Sequence, residues 1–293
     1  MEYVLENDLL KVTITSWGAQ VKSVITKADG LERMWQADPA VWGYHAPILF
    51  PYAGRLKDCR LDAKGQSFAA PPKHGFARTT DHSLVCRTKD TLVLQITHTE
   101  HTLAVWPYRF RLLSAFTLDG NTLLHTLTVE NQDEAKMPFG IGFHPAFTIP
   151  LDENHRAEDY ELRFSQNESP LCLGMSPQGL VDGTCYSLGH NIRAIPIDSH
   201  LFDHDSHCMF NLQSQTLGLY EKDSTRAVVC TIAGFPYTLI WSKPGEPKFI
   251  CIEPWMSLPC EETASHNWDE KPAAAILAPG ENWSVSLSTQ FLS

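Results

Sequence analysis

Apolar side chains recur along this chain mostly at every second position, in short runs bounded by turn residues. That is the period of a strand with one buried face. The run Thr91 to Thr99 shows it clearly, with Leu92, Leu94 and Ile96 sharing a face. The same reading predicts strands at Val4-Leu5, Leu9 to Thr15, Phe110 to Leu118, Leu123 to Glu130 and Tyr160 to Phe164. It continues with Thr216 to Tyr220, Ala227 to Ile232, Thr238 to Trp241, Phe249 to Ile252 and Trp283 to Phe291. Asp119-Gly120-Asn121, Asn131-Gln132-Asp133, Asp182-Gly183, Pro244-Gly245 and Pro279-Gly280 punctuate them as turns. No amphipathic helix of more than about two turns emerges. With no repeat and no linker-like shift in composition, residues 1–293 read as one all-β domain, a large antiparallel sandwich or barrel.

Composition adds exclusions rather than an activity. The 293 residues are 43% hydrophobic and 19% charged, enough to build a sizeable core. A net charge of −11 argues against nucleic acid or an anionic membrane as partner, since both need a basic face. No run approaches the ~18 uninterrupted apolar residues of a membrane span. Met1 to Val12 mixes Glu2, Glu6, Asp8 and Lys11 with apolar residues, so no signal peptide is predicted and the expected location is cytoplasmic. The eight cysteines form no CxxC pair and read as reduced thiols, several of them buried.

Four segments fit neither a strand nor an ordinary turn. Phe50-Pro51-Tyr52-Ala53-Gly54-Arg55-Leu56 sets one arginine among apolar residues, where its planar fork needs a partner: sugar hydroxyls, a carboxylate, or a structural ion pair. Lys73-His74-Gly75-Phe76-Ala77-Arg78 follows Pro71-Pro72, holding a histidine on a rigid loop that also suits an ordinary surface position. Gly140-Ile141-Gly142-Phe143-His144-Pro145-Ala146-Phe147 surrounds a histidine with small residues and aromatics. It lacks the third glycine of a dinucleotide loop, and its histidine suits either a flat ligand or a core carbonyl. In Phe249-Ile250-Cys251-Ile252-Glu253-Pro254-Trp255, alternation puts Phe249, Cys251 and Glu253 on one face. The carboxylate then stands at the strand end, and Pro254 stops the ladder. Apolar neighbours raise a carboxyl pKa toward that of a useful general base, although an edge glutamate also suits a salt bridge.

Metal and nucleophile chemistry are weakly supported. His98-Thr99-Glu100-His101 and His204-Asp205-Ser206-His207 space their histidines three apart, which on a strand sends them to opposite faces. Only a loop over His200 to His207 leaves room for an ion. No GxSxG elbow is present.

Read together and in order, these segments resemble the aldose 1-epimerase (galactose mutarotase) family, closest to its bacterial LacX-like branch. The matching pieces are Leu49-Phe50-Pro51 through Gly54-Arg55-Leu56, His74-Gly75-Phe76-Ala77-Arg78 and Gly142-Phe143-His144-Pro145-Ala146-Phe147. Further on come Phe202 to Asp205, Gly234-Phe235-Pro236-Tyr237, Ile240-Trp241-Ser242-Lys243-Pro244 and Cys251-Ile252-Glu253-Pro254-Trp255. Trp17-Gly18-Ala19 and Met34-Trp35-Gln36 extend the likeness to the N-terminal end. The wording departs at Tyr52-Ala53 and over Met256 to His266, positions expected near the cleft and so bearing on which sugar is used.

The resemblance implies a β-supersandwich with a sugar cleft, no cofactor and no metal. By position, Glu253 matches the family's general base, His144 its general acid, His74 the second active-site histidine and Arg55 the cleft arginine. Asp205 is taken as the sugar-binding aspartate, with Asp203 the alternative, and Trp241 as an aromatic for stacking on the sugar. The expected partner is a small-molecule sugar, without nucleic acid or membrane, in a monomer or homodimer. The expected reaction is α/β anomer interconversion of a free aldose of the galactose or glucose kind. Alternatives are a hexose 6-phosphate epimerase using Arg78 or Lys243 for the phosphate, a non-catalytic carbohydrate-binding sandwich, and a glycoside hydrolase using Asp205 with Glu253.

Overall fold

Strand sequences that alternate between apolar and polar residues have one face to bury, and here two large antiparallel sheets bury those faces against each other. A computed structural model describes residues 1–293. The nine-stranded sheet runs, in spatial order, Ile192–Pro196, Tyr160–Glu168, Thr216–Glu221, Ala227–Thr231, Asn282–Leu292, Thr122–Asn131, Phe110–Asp119, Thr91–Thr97, Ser83–Arg87. The eight-stranded sheet runs Val181–Ser187, Leu171–Met175, His207–Phe210, Tyr237–Trp241, Phe249–Trp255, Gly142–Phe143, Ile48–Leu49, with Ala146–Thr148 also paired to Phe249–Trp255. A three-stranded sheet, Glu2–Glu6, Leu10–Thr15 and Gln20–Thr26, the hairpin Arg60–Ala63 with Gln66–Ala69, and the long-range pair Met137–Phe139 with Ala275–Leu277 complete the sheets. The one α-helix, Glu100–Leu103, is a single turn capped by Thr99, and no helix is long and apolar enough to cross a membrane.

The half-buried strands follow the sequence pattern closely. In Phe110–Asp119, Phe110, Leu112, Ser114, Phe116 and Leu118 are buried and the residues between them are not. Within the nine-stranded sheet Phe116 stacks on His125 of the next strand at 4.1 Å, and across the sandwich His125 meets Phe143 of the opposite sheet edge-on at 5.1 Å. Phe50, Phe110 and Trp106 pack as a second aromatic knot joining the layers. One continuous apolar cluster extends from Leu5 to Phe291.

Several of the strands that the alternation does not predict lack a one-sided face. Val181–Ser187 is an edge strand exposed almost throughout. Gly142–Phe143 and Ala146–Thr148 are too short to show a period. Leu171–Met175 and Gln20–Thr26 also go unpredicted, the latter with a register shift that breaks its alternation against Leu10–Thr15. One expectation is corrected: Pro254 does not stop its ladder. Phe249–Trp255 is buried at every residue and stays paired past the proline, Thr238 opposite Pro254 and Tyr237 opposite Trp255. The run from Thr91 ends at Thr97, because Thr99 turns the chain into the helix.

Two core histidines make the fold acid-sensitive. His82 donates from Nε2 to the Ala77 carbonyl at 3.1 Å, and His125 Nε2 contacts Ser114 Oγ at 3.0 Å. Burial pushes His82 down to about 4 and His125 to about 3. Both stay neutral when folded, whereas the unfolded chain takes up their protons near pH 6.5. Below that pH the unfolded state binds more protons, so stability falls as pH falls toward 4. Going from pH 7 to pH 5 is expected to lower the unfolding free energy by about 2 kcal/mol for each of these two histidines. Urea unfolding at the two pH values checks this; equal midpoints and slopes would contradict it.

Candidate active site

Local pairing places the central acid–base pair. Strand Phe249–Trp255 lies between Tyr237–Trp241 on one side and two short strands on the other, with Gly142 opposite Trp255 and Ala146 opposite Cys251. The same register carried across the gap puts His144 opposite Glu253. Pro145 interrupts the ladder there, although its carbonyl still accepts from Ile252 N–H at 3.3 Å. Gly142 permits the approach: a Cβ at that position would sit 2.7 Å from the Trp255 ring. His144 and Glu253 thereby face each other with Nε2 to Oε2 at 3.2 Å, both buried.

The contact is close but not aligned as a hydrogen bond. Glu253 Oε2, His144 Nδ1 and the Trp255 indole N–H are all buried without a hydrogen-bond partner. The Trp255 N–H is nonetheless near enough to Glu253 to favour its ionised form slightly. Burial dominates: it raises Glu253 well above the usual carboxylate value, with Asp205 adding and Lys73 opposing. It also lowers His144 well below the usual imidazole value, with Lys73 and Arg78 reinforcing. The pair is therefore suited to hold one proton between two groups whose affinities have been brought together.

Aromatics wall one side. The His144 ring stacks on Trp42 at 5.0 Å and meets Trp241 edge-on at 5.8 Å, with Phe249 behind both tryptophans. As the alternation predicts, Phe249 and Cys251 share a buried cluster, and the Cys251 and Glu253 ligand atoms point into one space.

His74 comes from the opposite wall. Its backbone has φ +63° and the next residue, Gly75, φ +65°. A Cβ on Gly75 would stand 2.1 Å from the Phe50 carbonyl, so only glycine fits. The loop is tied to the arginine segment by His74 N–H to Gly54 O at 2.7 Å, and by Gly54 N–H to His74 Nδ1 at 3.1 Å. A backbone N–H can only donate, so Nδ1 carries a lone pair and neutral His74 carries its proton on Nε2. Burial and the neighbouring His144, Arg78, Lys73 and Arg55 hold its pKa well down, keeping this tautomer neutral.

Around this floor opens a cleft lined by 16 residues. Its lining includes each sequence-predicted site residue: Arg55, His74, His144, Asp205, Trp241 and Glu253. Arg55 has no ion pair and extends along Gly179, where a Cβ would sit 3.1 Å from its Cδ. Asp205 enters from a loop at φ +74°, while Asp203 lies outside, bonded to His200 at 2.9 Å. Arg78 lines the cleft and Lys243 is exposed outside it, so of the two cations considered for a phosphate only Arg78 is in place. Tyr52 does not itself line the cleft; it is a core residue whose hydroxyl donates to the Pro71 carbonyl at 2.6 Å. From Met256 to His266, Pro259 reaches the lining, packed over Gly54.

Sequence reading passed over Trp42, Lys73 and Trp255 as site residues. Lys73 and Trp255 lie in the segments around His74 and Glu253, where nothing in their own type or spacing marks them. Trp42 sits in a loop without periodicity, so nothing local marked it.

Two clusters have the spacing of metal sites. His144, Cys251 and Glu253 bring one ligand atom each within 4.8 Å of the others. Burial holds the Cys251 thiol protonated and the nearby cations oppose a further positive charge, so this set suits proton transfer better than a metal. In the Asp152, His155 and Glu221 cluster both carboxylates are already ion-paired with Arg226, at 3.0 Å from Asp152 and 2.8 Å from Glu221. The loop over His200 to His207 gathers no ligand set: His207 spends Nδ1 on Tyr186 and Nε2 on the Leu201 carbonyl.

Comparison with known proteins gives the family and the fold. The family model described as aldose 1-epimerase matches residues 1–290. The plasmid and chromosomal LacX proteins of Lactococcus lactis are each 31% identical over 288 residues, 95% of this chain and 95% of theirs. The crystal structure of a galactose mutarotase related enzyme from Lactobacillus acidophilus superimposes with a TM-score of 0.94 at 28% identity, covering 100% of this chain and 98% of that one. A galactose mutarotase-like protein from Lactobacillus casei gives 0.91 at 27% identity, covering 100% of both chains. The chain belongs to the aldose 1-epimerase family, and is a sugar isomerase on the antiparallel β fold of the galactose mutarotase-like proteins.

Proposed function

We propose that this protein interconverts the α and β anomers of an aldose, with Glu253 as general base and His144 as general acid. The observation that carries the reading is the buried pair itself, 3.2 Å apart on the floor of a cleft. Ring opening needs a proton removed from the anomeric hydroxyl and another delivered to the ring oxygen. Glu253 takes the first as the C1–O5 bond breaks, and protonated His144 gives the second to O5, leaving the open-chain aldehyde. Rotation about C1–C2 presents the other face of the carbonyl. On closure O5 attacks C1, His144 takes back the O5 proton, and Glu253 returns its proton to the carbonyl oxygen. No proton is consumed.

Burial supports this cycle energetically. The states before and after opening differ by where one proton sits on the pair, carboxylate with imidazolium or carboxylic acid with neutral imidazole. A low-dielectric site penalises the charged combination and so brings the two closer in energy, while each proton transfer contributes roughly 10²–10⁴-fold. Neutral His74, with its proton on Nε2, is a fixed donor for a sugar oxygen, and Arg55 is a second. Trp241 and Trp42 offer flat apolar faces to the sugar's C–H surface. A hydrolase reading has less support, because Glu253 is matched with an imidazole and Asp205 is exposed at the rim.

Polarimetry on freshly dissolved α-galactose and α-glucose is the direct assay. Glu253→Gln is expected to lower kcat at least ~10³-fold with the circular dichroism spectrum unchanged, and His144→Asn by a comparable factor. Near-wild-type rates in both would overturn the assignment.

The pH profile gives a second check. Gaining a second proton puts it on His144, so the acid limb of kcat/KM is expected below the ordinary histidine value of 6.5. Losing the last proton takes it from Glu253, so the alkaline limb lies well above the ordinary carboxylate value of 4.5 and disappears in Glu253→Gln. An acid limb above 6.5, or an alkaline limb surviving in Glu253→Gln, would contradict it.

A further inference from the structure

A second void lies behind one wall of the cleft. The chain from Cys260 to Pro272 closes over the hairpin Arg60–Ala63 with Gln66–Ala69. Asp62 N–H fixes it by donating to the His266 carbonyl at 2.7 Å, and the Lys57 ammonium by donating to the Ala264 carbonyl at 3.2 Å. The space left between them is about 210 Å³, where ~10–15 Å³ is enough for one water. None of its lining residues lines the cleft.

Its floor is buried and apolar, built from Leu56, Leu61, Cys260 and Trp268, the indole N–H of which is already taken by the Pro138 carbonyl at 2.8 Å. Its rim balances two cations, Arg60 and Lys271, against two carboxylates, Glu261 and Glu270. Asp62 engages Arg60 through two bonds of 2.9 Å, and Ser265 and Asn267 donate to Glu270 at 2.6 and 3.0 Å. Lys271 has no carboxylate. Its Nζ donates to the Leu258 carbonyl at 2.6 Å beside the Cys260 thiol, and burial draws its pKa below the usual lysine value. An ammonium has three N–H groups, so at least one is left for a ligand. Glu261, exposed at the rim, supplies an acceptor.

A charged ligand gains little from a rim whose charges balance. A neutral polyhydroxy compound uses everything present: its hydroxyls accept from Lys271 and donate to Glu261, and its C–H face covers the apolar floor. We propose that this void is a second monosaccharide site, and that its occupant acts on the cleft through Lys271. The route is short. Leu258, which receives the lysine, precedes Pro259, packed over Gly54, and Cys260, whose N–H donates to the Arg55 carbonyl at 2.9 Å. Gly54 in turn holds His74. A hydroxyl bound to Lys271 competes for the bond that anchors this segment. The site stands independently of the anomer-interconversion reading above; only its effect on rate rests on that reading.

Methyl-labelled protein titrated with galactose separates the two sites by NMR, because Leu56, Leu61 and Ala264 line the void while Met175 and Leu239 line the cleft. Saturating shifts are expected in both sets. In Ala264→Trp, whose indole fills the void, the Leu56 and Leu61 response is expected to vanish while that of Met175 and Leu239 remains. In Lys271→Met, galactose is expected to bind the void about tenfold more weakly. Circular dichroism checks the fold of each variant. Silent Leu56 and Leu61 methyls, or shifts that survive in Ala264→Trp, would overturn the site, and unchanged affinity in Lys271→Met would overturn the role given to the lysine. Inorganic phosphate saturating the same methyls at lower concentration than galactose would overturn the assignment to a neutral sugar. For the coupling, the wild-type rate is expected to depart from a hyperbola as the void fills, and to follow one in Ala264→Trp. A wild-type hyperbola through that range would overturn the coupling and leave the site. Should no sugar be turned over, the anomer reading fails by itself, and coupling is judged by cleft affinity from Met175 and Leu239. A difference between wild type and Ala264→Trp upholds it, and equal affinities overturn it.

Discussion

Burying an acid against an imidazole, without an aligned hydrogen bond between them, is the constraint around which this molecule is organised. An unsatisfied buried polar group costs on the order of 1–3 kcal/mol, and a buried charge costs more. Such a pair persists only where the surrounding backbone leaves it no alternative. Here Glu253 stands on a strand buried at all seven residues, and His144 stands in the gap of a ladder whose register is set on both sides of it. Neither can turn to water without breaking that pairing.

The same rigidity extends to the second histidine. His74 is held by two hydrogen bonds to Gly54, one of which settles which ring nitrogen bears the proton. Because Gly54 adjoins Arg55 and packs under Pro259, one short contact couples the arginine, the histidine and the far wall of the cleft. Positioning of this kind makes proton transfer effective, since reacting groups must be placed to within fractions of an ångström.

The two walls of the cleft divide the work of recognition. Tryptophans on one side offer flat apolar surface, and cations on the other, none of them in an ion pair, offer directed donors. That division lets a ligand be oriented as well as bound. It also tunes the floor: Lys73 favours the ionised form of Glu253 while disfavouring protonation of His144, so one lysine acts on both members of the pair.

Alternation of the kind seen along Phe110–Asp119 and Thr91–Thr97 was enough to read seven strands of the nine-stranded sheet, because those strands bury one face and water rewards the pattern. Ordered short segments around Arg55, His74, His144 and Glu253 were enough to read the family, because close backbone contacts tolerate few residue types. The sequence could not show that Pro254 leaves its ladder intact, since a strand buried on both faces has no period and its partners come from distant segments. Nor could it separate Asp205 from Asp203, or place Trp42 and Lys73 in the cleft. Those choices depend on which loops close over the sheet and which side chains find counter-charges there. Such contacts are long-range, and no local spacing encodes them.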